Sequence, residues 1–229
     1  MPVFALDETI SFPYPEYAEP DGLLAIGGDL SVDRLLLAYT NGIFPWYNPE
    51  EEILWWAPKR RFIIRPSEIH ISRSMKKYFR QHDVFLDINR DFADTVHRCR
   101  MKREHTEEGT WISDDIEKAY LELYKAGFAM SVEAFVDGEL AGGLYGVLIG
   151  RCFFGESMFS DRKNGSKLAL IMLAKMLEEE NFLMIDCQFH TDHLESMGGE
   201  YIGWTEYKGM LEAGIQYDLL EESGQQQGS

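Results

Sequence analysis

The segment Leu183-Met184-Ile185-Asp186-Cys187-Gln188-Phe189 sets a carboxylate and an amide two residues apart in an otherwise apolar run. Residues i and i+2 of a strand project from the same face, so Asp186 and Gln188 are expected side by side in an apolar setting, where polar groups can orient reactants. Burying a carboxylate there is costly unless it is paired. The spacing alone is equally compatible with a structural Asp bonded to a neighbouring loop. Glu156, at the polar end of Cys152-Phe153-Phe154-Gly155-Glu156, adds a second carboxylate that an adjacent strand can bring to the same pocket.

Other motifs carry less. Cys187, His190 and His193, with Asp186 or Asp192, are close enough in sequence for a metal, but the His-Glu-x-x-His pattern is missing and turn and packing roles are expected instead; no metal site is assigned. Three cysteines without a Cys-x-x-Cys pair support neither a disulfide scaffold nor a cysteine-only zinc site, and suit a reducing cytoplasm. Gly142-Gly143-Leu144-Tyr145-Gly146 lies within a strand pattern and is no dinucleotide fingerprint. There is no Walker loop, so energy for bond formation is expected to come from an already activated substrate. Arg162-Lys163-Asn164-Gly165-Ser166-Lys167 precedes a helix and resembles the acyl-CoA pyrophosphate loop of the GCN5-related N-acetyltransferases, with Lys167 where that loop wants a small residue. A plain helix start is the alternative.

The elements that must hold these groups can be read from pattern. All eight prolines fall in the first 66 residues, together with Trp46, Trp55 and Trp56, which marks a small, irregular, Pro/Trp-rich N-terminal domain, 1–62. Its one clear helix starts at the cap Ser31 and stops at Asn41-Gly42. A larger domain, 63–220, follows, and then a polar tail, 221–229, expected to be disordered. Helices are expected over Ser72–Gln81, Asp91–Lys102, from the cap Ser113 to Gly127, over Ser166–Glu180 and over Thr205–Ala213. Strands are expected over Met130–Val136 and Glu139–Ile149 around the hairpin turn Asp137-Gly138, then over Cys152–Glu156 and Phe182–Phe189. Hairpin strands, a helix, a return strand and a helix describe an α+β fold with a mixed sheet flanked by helices, not a doubly wound one.

At 229 residues, 45% hydrophobic and 27% charged, the chain can bury a proper core. No secretory signal or apolar 18-residue run is seen, so no membrane partner is expected. Net charge is −17, but residues 59–103 carry 13 Lys and Arg against five acids, a polyanion-sized patch on an acidic body. Solvated helix faces would have the same composition.

Seven blocks, in order, resemble the bacterial leucyl/phenylalanyl-tRNA-protein transferases: Gly27-Gly28-Asp29-Leu30, Gly42-Ile43-Phe44-Pro45-Trp46, Trp55-Trp56-Ala57-Pro58, His70-Ile71-Ser72-Arg73-Ser74, Gly109-Thr110-Trp111-Ile112, Gly155-Glu156-Ser157-Met158-Phe159-Ser160, and Ile185-Asp186-Cys187-Gln188 with Asp192-His193-Leu194. The resemblance implies an enzyme that moves Leu or Phe, less often Met, from tRNA to an N-terminal Arg or Lys and marks the acceptor for degradation. It implies a GCN5-like larger domain; no cofactor, a monomer and a cytoplasmic setting are expected. Carried over by motif, Asp186 and Gln188 are the reaction centre, Glu156 a polar wall, and Trp46 and Trp111 the contacts for the terminal adenosine. Leu144, Phe153, Met158, Leu173, Leu177 and Ile185 form the side-chain pocket, where leucine at 144, 173 and 177 departs from the expected Met or Phe. Arg73, Lys76, Lys77 and Arg80 are expected on the tRNA backbone. In such a reaction the Gln188 amide either donates to the oxyanion or accepts from the attacking amine, with Asp186 orienting it and favouring the acceptor's cationic end. A CoA-dependent N-acetyltransferase and a non-catalytic RNA or N-terminus binding module are the alternatives.

Overall fold

A computed structural model describes residues 3–104 and 111–225; Gly109 and Thr110 of one quoted block, and Gln226–Ser229 of the expected tail, lie outside the described residues. In chain order the elements are β1 (Phe4–Leu6), β2 (Leu23–Gly27), α1 (Val32–Thr40), β3 (Phe44–Pro45), β4 (Leu54–Trp56), β5 (Arg60–Ile64), α2 (Arg73–Gln81), β6 (Val84–Ile88), α3 (Phe92–Glu104), α4 (Asp114–Lys125), β7 (Ala129–Val136), β8 (Glu139–Ile149), β9 (Cys152–Ser160), α5 (Gly165–Glu179), β10 (Met184–Gln188), α6 (Asp192–Ser196), β11 (Glu200–Gly203) and α7 (Trp204–Gln225).

A four-stranded sheet, β1-β2-β4-β3, holds the N-terminal part, and a seven-stranded sheet, β11-β5-β10-β9-β8-β7-β6, the rest. The large sheet is mixed: β9 and β10 run parallel, as the α5 crossover between them requires, and every other pair is antiparallel. The capping expectations at Ser31 and Ser113 hold, since each accepts a backbone N–H of the first helical turn, and Ser72 caps α2 in the same way.

Strand alternation divides the buried side chains between two layers. Phe153 and Ile185 face α2 and α5, whereas Cys152, Phe154 and Met184 face the layer that holds α1, α3, α4 and α7. That second layer is shared with the small sheet: Leu24, Tyr39 and Trp55 belong to the same cluster as Tyr120, Tyr145 and Phe154.

Several expectations need correction. The N-terminal part is a sheet rather than irregular, because short strands interrupted by prolines show no clean period-two pattern. Strand β5 begins at Arg60, so the segment beside the expected boundary at residue 62 pairs in the large sheet. Strands β5 and β6 were not expected from pattern at all, and β9 continues to Ser160. The last helix runs to Gln225, beyond Ala213 and into the segment expected to be disordered. No described helix is long and apolar enough to cross a membrane.

Candidate active site

Two bulges build the site. In β9, Ser157 pairs with Tyr145 and Gly155 with Gly146, so Glu156 is the extra residue. In β10, Asp186 pairs with Ile63 and Gln188 with Phe62, so Cys187 is the extra residue. Such insertions interrupt the ladder and re-aim side chains. The parallel β9–β10 ladder ends at Asp186 opposite Phe154, immediately before both bulges. A cavity of 360 Å³ follows, with Gly155, Glu156, Ser157 and Met158 lining it from β9, and Cys187, Gln188 and Phe189 from β10 and its end. Gly146 permits this geometry: a Cβ there would lie 2.2 Å from the Phe154 carbonyl oxygen and 2.5 Å from the Phe153 ring.

Gln188 takes a left-handed backbone, φ 58°, uncommon for a side chain of its size. Its N–H donates to Asp186 Oδ1 at 2.9 Å, which holds the turn, and its Nε2 lies 3.5 Å from Glu156 Oε1. Asp186 and Gln188 are therefore not side by side on one face. Asp186 is fully buried and outside the cavity lining. Arg61 Nε donates to both of its oxygens at 3.0 Å, Arg61 Nη2 lies 2.9 Å from Oδ2, and the Tyr207 hydroxyl donates to Oδ2 at 2.8 Å. Burial disfavours the Arg61 cation, but Asp186 and Tyr207 outweigh it and hold the guanidinium above its usual range. Asp186 is thus paired with Arg61 away from the cavity and meets Gln188 through its backbone N–H, rather than standing beside its amide as the strand spacing suggested.

The carboxylate that does face the cavity is Glu156. The Tyr39 hydroxyl lies 2.7 Å from Oε1 and the Tyr120 hydroxyl 2.8 Å from Oε2. Burial pushes the Glu156 carboxyl up to about 7, and Asp186 adds to the rise, against the phenol hydrogen bonds and Arg61. Burial, with Asp186 beside it, raises the Cys187 thiol, so it stays protonated at neutral pH as part of the wall.

Leu144, Phe153, Met158 and Ile185, which the motif match assigned to the side-chain pocket, line the cavity, and so do Trp46 and Trp111. Leu173 and Leu177 do not. Both are buried in the core against the sheet, and α5 reaches the cavity through Leu170 instead. These three leucines share a helical stripe, but the steps of three and four residues from Leu170 to Leu173 and Leu177 move about 4.5 and 6 Å along the axis, away from the opening. Phe44, Phe189 and Leu194 also line the cavity and were not assigned from sequence. Phe189 had a signal, its place directly after Gln188. Its ring lies 5.2 Å from Trp46 and 5.5 Å from Phe44, while Trp46 packs 5.7 Å from Trp56 and is 42% exposed. The result is an aromatic rim beside an apolar slot.

The four expected tRNA contacts, Arg73, Lys76, Lys77 and Arg80, are exposed at i, i+3, i+4 and i+7 on one face of α2, whose other face buries Met75. The wider 59–103 patch is less uniform than its composition. Arg61 is internal, and Arg90, Arg98, Arg100 and Lys102 pair with Asp87, with Asp94 and Asp161, with Asp114 and Glu117, and with Asp161.

The loop before α5 spends its backbone on the protein. Asp161 and Arg162 N–H both donate to the Ala141 carbonyl, Gly165 N–H to Arg162, and Ser166 N–H to Ser160 Oγ. A Cβ on Gly165 would lie 1.9 Å from the Ala141 oxygen, so the helix start is wedged against β8. That leaves a poor cradle for a pyrophosphate, which speaks against the CoA alternative. The metal set considered from sequence is not assembled either: among the described residues the grouping of three ligand-type side chains is His190, Asp192 and Glu195, on the surface.

The family described as leucyl/phenylalanyl-tRNA protein transferase matches residues 63–212, and the N-terminal domain of the same family matches 28–59. A leucyl/phenylalanyl-tRNA–protein transferase of Desulfatibacillum aliphaticivorans is 51% identical over 96% of this chain and 94% of its own. The chain belongs to the leucyl/phenylalanyl-tRNA protein transferase family. Relatives with the same name from Syntrophus aciditrophicus, 49% identical over 88% of this chain and 84% of theirs, and Azotobacter vinelandii, 47% over 89% and 91%, agree. Solved structures resemble the chain only loosely. A functionally unknown conserved protein from Staphylococcus epidermidis has a TM-score of 0.43 and 11% identity over 79% of this chain and 68% of its own. The helices and the two mixed sheets described above make the fold mixed α/β.

Proposed function

We propose that this family member transfers Leu or Phe, and less often Met, from aminoacyl-tRNA to the N-terminal Arg or Lys of acceptor proteins, marking them for N-end-rule degradation. One arrangement carries the reading: an apolar slot, lined by Leu144, Phe153, Met158, Leu170 and Ile185, lies in one cavity with Gln188, Glu156 and the aromatic rim. The aminoacyl side chain enters the slot, and the terminal adenine stacks on Trp46 or Trp111, a contact worth roughly 1–3 kcal/mol. The ester carbonyl then lies at Gln188.

The ester is already activated, so the acceptor must arrive as a neutral amine in the right place. An N-terminal amine, with an ordinary pKa near 7.7–8.0, is roughly one-tenth unprotonated at pH 7. Positioning does most of the remaining work. The Gln188 amide either donates to the oxyanion or accepts from the amine, and Asp186 fixes the backbone from which it projects. Glu156 forms the polar wall of the cavity beside that amide. In this reading the 1–62 domain contributes Trp46 and 63–220 the acyl site, a GCN5-like fold is the expected architecture of the latter, and Arg73, Lys76, Lys77 and Arg80 hold phosphates. The protein acts as a cytoplasmic monomer.

The test is transfer of radiolabelled leucine from charged tRNA to peptides differing only in their first residue. Label on Arg- and Lys-starting peptides and none on Ala-starting ones is expected. No transfer, with tRNA still bound, would leave a binding module.

A further inference from the structure

Tyr39 from α1, Tyr120 from α4 and Glu156 from the β9 bulge form a closed triangle. The phenol oxygens are 2.5 Å apart, and each phenol reaches a different oxygen of Glu156, at 2.7 and 2.8 Å. Three such short O···O contacts need three protons, because each hydrogen bond holds one. The two phenols bring two. If Glu156 were ionised and accepted from both, the 2.5 Å contact between the phenol oxygens would hold no hydrogen and would be repulsive. If Glu156 is protonated, it donates to one phenol, that phenol donates to the other, and the second donates back to the carbonyl oxygen of Glu156. Every contact is then satisfied.

We infer that Glu156 rests as a neutral acid inside this three-proton ring, and that the ring is the proton reservoir of the site, with Tyr39 and Tyr120 as positioning residues. Its catalytic meaning rests on the transfer reading above, but the proton count does not. As the C–N bond forms and the ester C–O bond breaks, the departing ribose oxygen takes up one proton and the attacking nitrogen gives one up. The ring supplies the first and recovers the second, so it ends the cycle as it began.

The surroundings agree. Burial raises both phenols well above their usual range, so each keeps its proton. The remaining groups facing the ring are Tyr145 from β8, which adds to the rise of both phenols, and the Asp186–Arg61 pair from β10 and β5, whose charges act on Glu156 in opposite directions. The Gln188 amide lies at the cavity side of the same carboxyl. Burial raises Glu156 to about 7, so the protonated acid prevails below neutrality.

Infrared difference spectra of the full chain without tRNA, taken between about pH 5.5 and 8.5, test the ring directly. A carboxylic-acid band that disappears near neutrality, is missing in Glu156→Gln and moves its midpoint in Tyr39→Phe or Tyr120→Phe is expected. Glutamine can complete the ring with one N–H and its carbonyl, so that variant keeps the fold. A carboxylate spectrum at about pH 6, or a midpoint indifferent to both tyrosines, would overturn the inference. In transfer assays Tyr120→Phe should lower kcat and displace its pH profile, with KM for an Arg-starting peptide changed less than about threefold; a change in KM alone would make the ring a mere binding wall. Because the infrared measurement needs no substrate, a band without transfer sinks the functional reading alone, and transfer without a band sinks the ring alone.

Discussion

Gln188 and Asp186 divide their work in a way their spacing conceals. Gln188 presents its amide to the cavity from a strained backbone, while Asp186 stands behind it and holds Arg61. Replacing Gln188 by Ala should lower turnover by about 10²–10³-fold, the usual worth of one oxyanion donor, and leave the affinity for charged tRNA unchanged. Equal loss of both in binding and single-turnover assays would remove it from the chemistry. Asp186→Ala strips the partner from a fully buried guanidinium and should cost about 3–5 kcal/mol in urea denaturation. Glu156 predicts a pH effect of opposite sign to that of a salt-bridged carboxylate. Its folded pKa, about 7, lies above the ordinary 4.5, so the native state binds the extra proton, and stability falls as pH rises from about 4.5 to about 7 and then levels. Thermal melts of Glu156→Gln should lack that decline. The residue types of this trio were legible in the sequence. Their roles were not, because Arg61, which decides the role of Asp186, lies 125 residues away along the chain.

At the scale of elements, β9, β10 and α5 shape the slot. Apolar runs marked both strands, but a bulge is a mismatch between two strands, and neither sequence alone records it. The helix was legible from its period and its end, whereas the turn that meets the cavity depended on where the helix start wedges against β8. Two substitutions on one stripe separate these roles. Leu173→Ala should cost about 2–5 kcal/mol of stability, as core truncations do, without changing the ratio of Leu to Phe transferred. Leu170→Ala should enlarge the slot and lower that ratio in favour of Phe, read from competition between the two charged tRNAs.

Over the whole molecule, charge and core set how substrates arrive and how the halves stay together. The exposed cationic face of α2 stands on a chain of net charge −17. The double charge reversal of Lys76 and Lys77 to Glu should weaken tRNA binding and reduce the slope of log K against log salt by about 1.4–1.8, since each lost phosphate contact contributes about 0.7–0.9. An unchanged slope would place the RNA on another face. The small sheet and the large one share a single apolar layer, so the N-terminal part that carries Trp46 and Tyr39 is packed onto the acyl site rather than tethered to it. The sequence by itself determined the elements with strong local signals, the capped helices and the Asp137-Gly138 hairpin, together with the family and the residue types of the site, because capping, turn chemistry and period act over a few neighbours. Only the tertiary structure decided that Asp186 is spent on Arg61, that Leu170 and not Leu173 meets the slot, and that two distant tyrosines close on Glu156. Those outcomes depend on burial and register between segments far apart in the chain, where the cost of an unpaired charge or a misfitted side chain is settled only once the partners meet.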